Sequence, residues 1–333
     1  MKYVVTGDLH VKMWADREFA ESGIPLKLQE ILDVFDSMIT YCRDNELNGI
    51  IIAGDTNDLK QNTSTDAFVL LKRLIESNSD IDFIFLHGNH DSSNREDILS
   101  AVELFSGLPN VSTILENQTI NNILFVPYST TMIEDIKECE PTDILISHLG
   151  LSDAQLSSGI SIKTRITSSD LSKFKLVLLG HYHKPQKINH CYYVGSPIQL
   201  RKDEHDEDKR FLVIDTETFE VKSILTEGYR KFYDLKIETK EQIQEILEVA
   251  NELKEQGHKV RVRKNFPEAI TDIGSDIELV DDYEEEYQIR GITTAMSHED
   301  RFKKYLDILN IPKEEQEEYM NVVLSAVGDE VRT

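Results

Sequence analysis

The sequence predicts an α/β (α+β) fold: a two-sheet β-sandwich flanked by helices, with a small α+β unit and C-terminal helices after it. Three observations carry this. Over the first ninety residues, short apolar runs alternate with helical stripes, the signature of βαβ units whose strands are buried on both faces. From about residue 111, short strands follow one another with few helices between them, which adds a second sheet. Near Gly228 the texture changes again, to strand, capped helix and strand.

Tyr3-Val4-Val5 reads as the first buried strand. Pro25 suits a helix start, and Leu28, Ile31, Leu32, Phe35, Met38, Ile39 and Cys42 recur at helical spacing behind it. Gly49 to Ala53 is a second strand. Asp66 to Ile75 is a second helix with Phe68 and Leu71 inward. Asp82 to Leu86 is a third strand. Strands at about 111–115 and 119–127 are punctuated by Glu116-Asn117-Gln118 and Asn121-Asn122. Asp143 to Ile146 and Leu176 to Leu179 are further buried strands, and others lie near 188–194, 211–215 and 219–226. This half is expected to form a mostly antiparallel sheet packed on the first.

A boundary near residue 230 gives three parts: a main domain (1–229), an α+β cap (230–290) and a C-terminal helical segment (291–333). In the cap, Thr239-Lys240-Glu241-Gln242 is a capping box. It opens a helix with Ile243, Ile246, Leu247, Ala250 and Leu253 on one face, which Gly257 terminates. Lys259 to Lys264 then alternates basic and apolar residues, a solvated strand face or a nucleic-acid contact. Glu278 to Glu286 is acidic. Phe302, Tyr305, Leu306 and Leu309 mark one terminal helix, and Tyr319, Val322, Val323 and Ala326 a second.

With 333 residues the chain exceeds most single cores. Its apolar runs fall far short of the ~18 residues that cross a bilayer, and one Lys followed by a strand is no signal peptide. A cytoplasmic protein without membrane contact is expected. Cys42, Cys139 and Cys191 are widely spaced without a C-x-x-C pair, which fits reduced thiols. The net charge of −25 argues against a protein that coats nucleic acid by charge alone. It does not exclude a nucleic-acid enzyme, because divalent metals supply positive charge locally.

The chemistry sits where the strands end. Asp8 and His10, Asp55, Asn89 and His90, His148, and His181 and His183 each follow an apolar run. In extended backbone, Asp8 and His10 would point the same way. Ligands of open α/β sheets bind beyond the carboxyl ends of strands, so these tips can converge. Oxygen and imidazole donors without thiolate suit manganese, iron, zinc or magnesium. The donors outnumber the needs of one ion, so two ions sharing a carboxylate fit better. Such a centre binds phosphate and activates water, and a histidine off the metals, His90 with Asp91 beside it, can serve the leaving group. Any one of these short motifs alone would more often be a turn; their joint occurrence on successive strand ends argues otherwise. His87, His190, His205, His258 and His298 are expected to be solvent or core residues.

In this order, Asp8-x-His10, Gly54-Asp55-x-x-Asp58, Gly88-Asn89-His90-Asp91, His148 and Gly180-His181-x-His183 resemble the calcineurin-like metallophosphoesterase family over about residues 1–200. The resemblance implies that Asp8, His10, Asp55 and His183 hold one ion. Asp55, Asn89, His148 and His181 would hold the other, with Asp55 bridging, and His90 would act on phosphate and leaving group. Tyr193-Val194-Gly195-Ser196-Pro197-Ile198-Gln199, with the cap behind it, is similar to the SbcD-type DNA-repair nucleases. That resemblance implies two divalent metal ions, Mn²⁺ foremost, with Mg²⁺, Fe or Zn as alternatives. It further implies DNA as substrate, a homodimer, and an SbcC-type ATPase docked on the C-terminal helices. No G-x-x-x-x-G-K-[ST] occurs, so ATP binding would belong to another chain. Lys12 and Thr56-Asn57 depart from the usual pattern beside the ligands. The alternatives are a phosphatase or phosphodiesterase for small molecules or phosphoproteins, and a scaffold subunit for the ATPase.

Overall fold

The computed structural model describes residues 1–15, 18–58, 63–92, 99–140, 142–266, 270, 277–281, 298–309, 311–313, 316 and 319. Strands β1 (Lys2–Thr6), β2 (Gly49–Ile52), β3 (Phe83–Leu86) and β4 (Val111–Ile114) are parallel neighbours. Helices α1 (Leu26–Asp44) and α2 (Thr65–Ser77) lie in the connections between β1, β2 and β3. Parallel pairing demands such crossovers, which is why the strand–helix alternation was readable.

A second sheet follows. β5 (Gln118–Ile120) and β6 (Ile123–Val126) form a hairpin through Asn121 and Asn122, both at positive φ, where Asn is tolerated. Then come α3 (Met132–Glu138), β7 (Ile144–His148), β8 (Leu176–Gly180), β9 (Gln186–Ile188) and β10 (Cys191–Tyr193), in the spatial order β5-β6-β7-β8-β10-β9. The expectation of a mostly antiparallel sheet is corrected here. β6, β7, β8 and β10 are parallel, and only the edges β5 and β9 are antiparallel. The physical cause is burial: β7 and β8 are buried at every position, as strands covered on both faces must be. A second correction concerns β11 (Arg210–Asp215) and β12 (Val221–Leu225). They return to the first sheet, with β11 antiparallel to β1, giving the order β12-β11-β1-β2-β3-β4.

Three apolar layers hold this assembly. Val5, Ile51 and Leu86 of the first sheet meet Phe125, Ile146 and Leu178 of the second. Val4, Ile50, Ile52 and Phe85 face the other way, onto Leu28, Ile31, Phe35 and Phe68 of the helices. Val126, Leu145 and Val177 face a third layer with Ile133 and Ile136 of α3. Burying one such side chain contributes ~1.5–3 kcal/mol. A one-residue slip of β2 would carry Ile51 into the wrong layer, so the strand register, and with it the position of every strand tip, is fixed.

A second compact unit comprises Asp234–Gln256 and the residues from Val260 on. It contains most of β13 (Phe232–Ile237), α4 (Ile243–Glu255), β14 (Lys259–Lys264) and β15 (Glu278–Asp281), with β14 central and parallel to β15. Thr239 and Gln242 form the expected capping box before α4. The basic strand β14 is not a bare charged stripe. Arg261 and Arg263 both pair with Asp234, and Lys264 lies 2.7 Å from Asp281. Helix α5 spans His298–Ile308. The second terminal stripe, Val322, Val323 and Ala326, and most of segment 291–333 lie outside the described residues. Among the described residues no helix is long and apolar enough to cross a membrane.

Candidate metal centre

The tips of β1, β2, β3, β7 and β8 carry the expected polar residues, and Asp8, His10, Asp55 and His148 are almost fully buried. Asp8 and His10 do not converge through an extended backbone, which corrects the period-two argument. Their φ angles are +51° and +49°. Two left-handed residues flank Leu9, whose side chain enters the core. The amides of Asp8, His10 and Val11 are satisfied by the carbonyls of Gly54, Asp55 and Thr56. Asp55 (+50°) and His181 (+95°) also occupy this region. Backbone strain of ~1–3 kcal/mol per residue, gathered at one place, is characteristic of functional sites.

Two groups of ligand atoms result. Asp8, His10 and His183 form one; Asp55, His148 and His181 form the other. His10 Nε2 and His183 Nε2 are 2.9 Å apart. In the second group, His148 Nε2 lies 3.2 Å from Asp55 Oδ2 and 3.0 Å from Asn89 Oδ1. His181 Nδ1 is 2.9 Å from that same Asn89 oxygen. Asp55 Oδ2 also lies 3.8 Å from His10 Nε2, so its carboxylate stands between the groups. Both oxygens of Asp8 accept the backbone N–H of His181 at 3.1 Å, tying the tip of β1 to that of β8.

The donor set fits divalent cations. His148 Nδ1 faces the Ala53 carbonyl at 2.8 Å, which can only accept, so that nitrogen carries the proton. Its Nε2 therefore points a lone pair at two acceptor oxygens unless a proton or a cation intervenes. Burial disfavours a charged His148, but Asp55 and Asp8 outweigh this and raise its pKa to about 9. Burial raises Asp55, yet His148, His10 and His90 hold it well below the usual carboxylate range. Burial and the neighbouring His148 push His181 down to about 3, leaving it neutral and ready to ligate.

His90 is oriented from behind. Its Nδ1 is 2.6 Å from the Asp58 carbonyl, and its backbone N–H donates to Asp55 Oδ1 at 2.8 Å. It lines a cleft with Asp55, His181, His183, Leu156, Ser157, Ser158, Arg201, Asp203 and Glu204. Asp91 is 1% exposed. Its carboxylate accepts the backbone N–H groups of Gly88 and Asn57, each at 2.8 Å, and so braces the β2 and β3 tips against each other. Burial and the nearby Asp55 raise its pKa to about 7. Of the histidines set aside from the site, His87 sits between Ser100 and Ser92, and His190 bonds the Leu171 carbonyl.

Sequence reasoning missed several residues. Asp58 Oδ1 lies 3.3 Å behind His10 Nδ1, and its other oxygen pairs with Lys12 at 2.6 Å. Burial raises Asp58, but His10 and Lys12 bring it to about 2. Asn57 donates to the His90 carbonyl at 3.1 Å. Of the departures from pattern, Lys12 thus backs His10 through Asp58, and Asn57 holds the backbone of His90. Glu204 and Lys209 stand behind His183, and Arg201 lines the cleft. A signal existed only for Asp58, the last residue of the Gly-Asp-x-x-Asp motif.

Comparison with known proteins bears on this geometry. The family model described as calcineurin-like phosphoesterase matches residues 1–185. Exonuclease subunit 1 of Enterobacteria phage T4 is 24% identical over 233 residues, 66% of this chain and 66% of that protein. The DNA double-strand break repair protein Mre11 of Sulfurisphaera tokodaii is 28% identical over 204 residues, covering 55% and 51%. A subunit of the nuclease SbcCD of Staphylococcus epidermidis is 27% identical over 209 residues, covering 50% and 55%. The matched region spans about half to two thirds of the length of these relatives.

Proposed function

From the premise that this chain belongs to the calcineurin-like phosphoesterase family and is a metal-dependent hydrolase of phosphoesters, we propose that it is a two-metal DNA nuclease. In this reading Asp8, His10, Asp55 and His183 hold one divalent ion, and Asp55, Asn89, His148 and His181 the other. Bound there, the ions would polarise a phosphoryl oxygen and lower the pKa of water toward ~7. Manganese is the proposed metal.

The residues supply the rest. Asp55, between the two groups, spaces them. His90 holds its Nδ1 proton on the Asp58 carbonyl, which leaves Nε2 for the leaving oxygen. As hydroxide adds to phosphorus, its former proton having passed to solvent, and the P–O3′ or P–O5′ bond breaks, His90 would enter as imidazolium, keep its Nδ1 proton on the Asp58 carbonyl, give its Nε2 proton to the departing alkoxide and be reprotonated from solvent. Arg201 would take a phosphate next to the one cut. Leu156, Ser157 and Ser158 also line the cleft.

The observation that carries the reading is the convergence of two adjacent groups of ligand-type atoms, Asp8, His10 and His183 beside Asp55, His148 and His181, with Asp55 Oδ2 3.8 Å from His10 Nε2. Relatives named as exonuclease, repair and nuclease proteins support DNA as substrate. The same resemblance supports action with an SbcC-type ATPase through segment 291–333, and a homodimer. Purified protein with Mn²⁺ is expected to degrade linear DNA, and Asp55→Ala and His90→Ala are expected to stop it. Intact DNA across metals and pH would overturn the proposal.

One observation favours a second reading, a phosphodiesterase for small molecules. The guanidinium groups of β14 are spent on Asp234, in a chain of net charge −25. Turnover of a nucleotide diester well above that of DNA would decide for it.

A further inference from the structure

We propose that Glu204 is the positioning residue of His183, acting with Lys209 as a buried clamp that sets one of the two ion positions apart from the other. The proposal rests on the two-metal reading above. Glu204 is 1% exposed. A lone buried carboxylate is costly, so one found here must be held by several donors. It is: Oε1 faces His183 Nδ1 at 2.9 Å, while Oε2 meets Lys209 Nζ at 2.8 Å, the Leu200 N–H at 2.9 Å and Ser196 Oγ at 3.4 Å.

Lys209, 1% exposed, completes the clamp. Besides Glu204, its ammonium group meets Glu207 Oε2 at 2.5 Å and the carbonyl of His183 at 2.9 Å. All three of its protons have acceptors. His183 is thus gripped twice, at its ring by the carboxylate and at its backbone by the ammonium. The same carbonyl accepts the Ser196 N–H at 3.2 Å. That approach requires glycine next door: Gly195 has φ +82°, and a Cβ there would come within 2.6 Å of the His183 oxygen.

The consequence is a fixed tautomer. A carboxylate accepts only, so His183 Nδ1 keeps its proton and Nε2 presents its lone pair toward His10 Nε2 and Asp8. The partner of His148 is different, the neutral carbonyl of Ala53. A carboxylate behind an imidazole raises its basicity as a ligand more than a carbonyl does. Loss of Glu204 should therefore fall on the ion held by Asp8, His10 and His183, and spare the ion held by Asn89, His148 and His181.

The test is stepwise binding of Mn²⁺ to the whole chain, followed by calorimetry and by the Mn²⁺ electron-spin signal. Wild type is expected to take two ions. Glu204→Gln is expected to weaken one step about 10–100-fold and leave the other within twofold, whereas Asn89→Ala weakens the other step. Glu204→Gln leaves Lys209 with Glu207, so no lysine is orphaned. A Glu204→Gln protein that binds both ions as wild type does, or loses both equally, overturns the clamp. A wild type that binds no ion overturns the two-metal reading itself. Should the variant fail to fold, the wild type decides: with Zn²⁺ bound, nitrogen NMR of the histidines must report His183 protonated at Nδ1. A proton on Nε2 would refute the assignment.

Discussion

His10 and His183, 173 positions apart in the chain, bring their Nε2 atoms to 2.9 Å. With His183 Nδ1 committed to Glu204, only a proton or a cation between the rings makes that contact favourable. Divalent ion binding should therefore stabilise the fold, since the unfolded chain has no such site. Each Mn²⁺ site filled at a hundred times its dissociation constant is expected to add about 2.7 kcal/mol. For a catalytic unit of this size that is a rise in Tm of about 5–10 °C. Thermal melts with Mn²⁺ and then a chelator measure it. Asp55→Ala should abolish the rise, because that carboxylate stands between both groups.

His90 should matter to turnover and not to metal. Its ring nitrogen contacts the Asp58 carbonyl, and the ligand groups form without it. His90→Ala is expected to lower kcat by about 10²–10⁴-fold while binding Mn²⁺ as wild type does. Equal losses of binding and turnover would place His90 among the ligands.

Gly88 is a packing requirement of the same centre. A Cβ there would stand 2.2 Å from the Asp55 nitrogen and 2.3 Å from Asp55 Oδ1. The neighbours are the backbone and carboxylate of Asp55, and neither can move without moving the β2 tip. Gly88→Ala is expected to cost about 1–3 kcal/mol of stability and to weaken Mn²⁺ binding, while far-ultraviolet circular dichroism stays native.

The candidate ligands stand out in the sequence because each follows a strand buried on both faces, and such strands are short apolar runs ending in a polar residue. Asp55 after Ile50-Ile51-Ile52 and His181 after Val177-Leu178-Leu179 are of this kind. Glu204 and Lys209 were not legible. They lie in Arg201-Lys202-Asp203-Glu204-His205-Asp206-Glu207-Asp208-Lys209, which has the composition of a solvated loop. Burial of that ion pair depends on donors from Leu200 and Ser196 and on an acceptor at His183, and no local period records them. The direction of the strands in the second sheet is hidden for a related reason. Asn-rich turns announce the β5–β6 hairpin, but nothing local reports that residues 149–175 make a crossover and not a return.

Arg201 places a cation on the cleft of this acidic chain. It is exposed, it lines the cleft with His90 and His183, and among the described residues it has no ion pair. Arg201→Ala is expected to raise KM for DNA severalfold and to lessen the salt dependence of binding by about one phosphate contact. The effect on a small aryl phosphodiester should be smaller. Equal effects on both substrates would move Arg201 from the DNA track to the reacting phosphate.

Acid should loosen the second unit through Asp234. Burial raises its pKa, but hydrogen bonds from Arg263 and Arg261 outweigh burial and hold it at about 2, below the ordinary 3.8. In the window between these values the unfolded chain binds more protons than the folded one, so stability rises with pH there. The contribution is present above about pH 4 and is lost as pH falls toward 2. Amide exchange at Val260 and Val262, which lie on either side of Arg261 in β14, measures it. Corrected for intrinsic rates, protection should fall as the pH is lowered from 5 toward 2. Asp234→Asn should lower protection at pH 5 and flatten this part of the profile, because the two guanidinium groups then share a neutral amide. An unchanged profile in the variant would mean that the pair is energetically silent, and that Arg261 and Arg263 are available to a phosphate backbone after all.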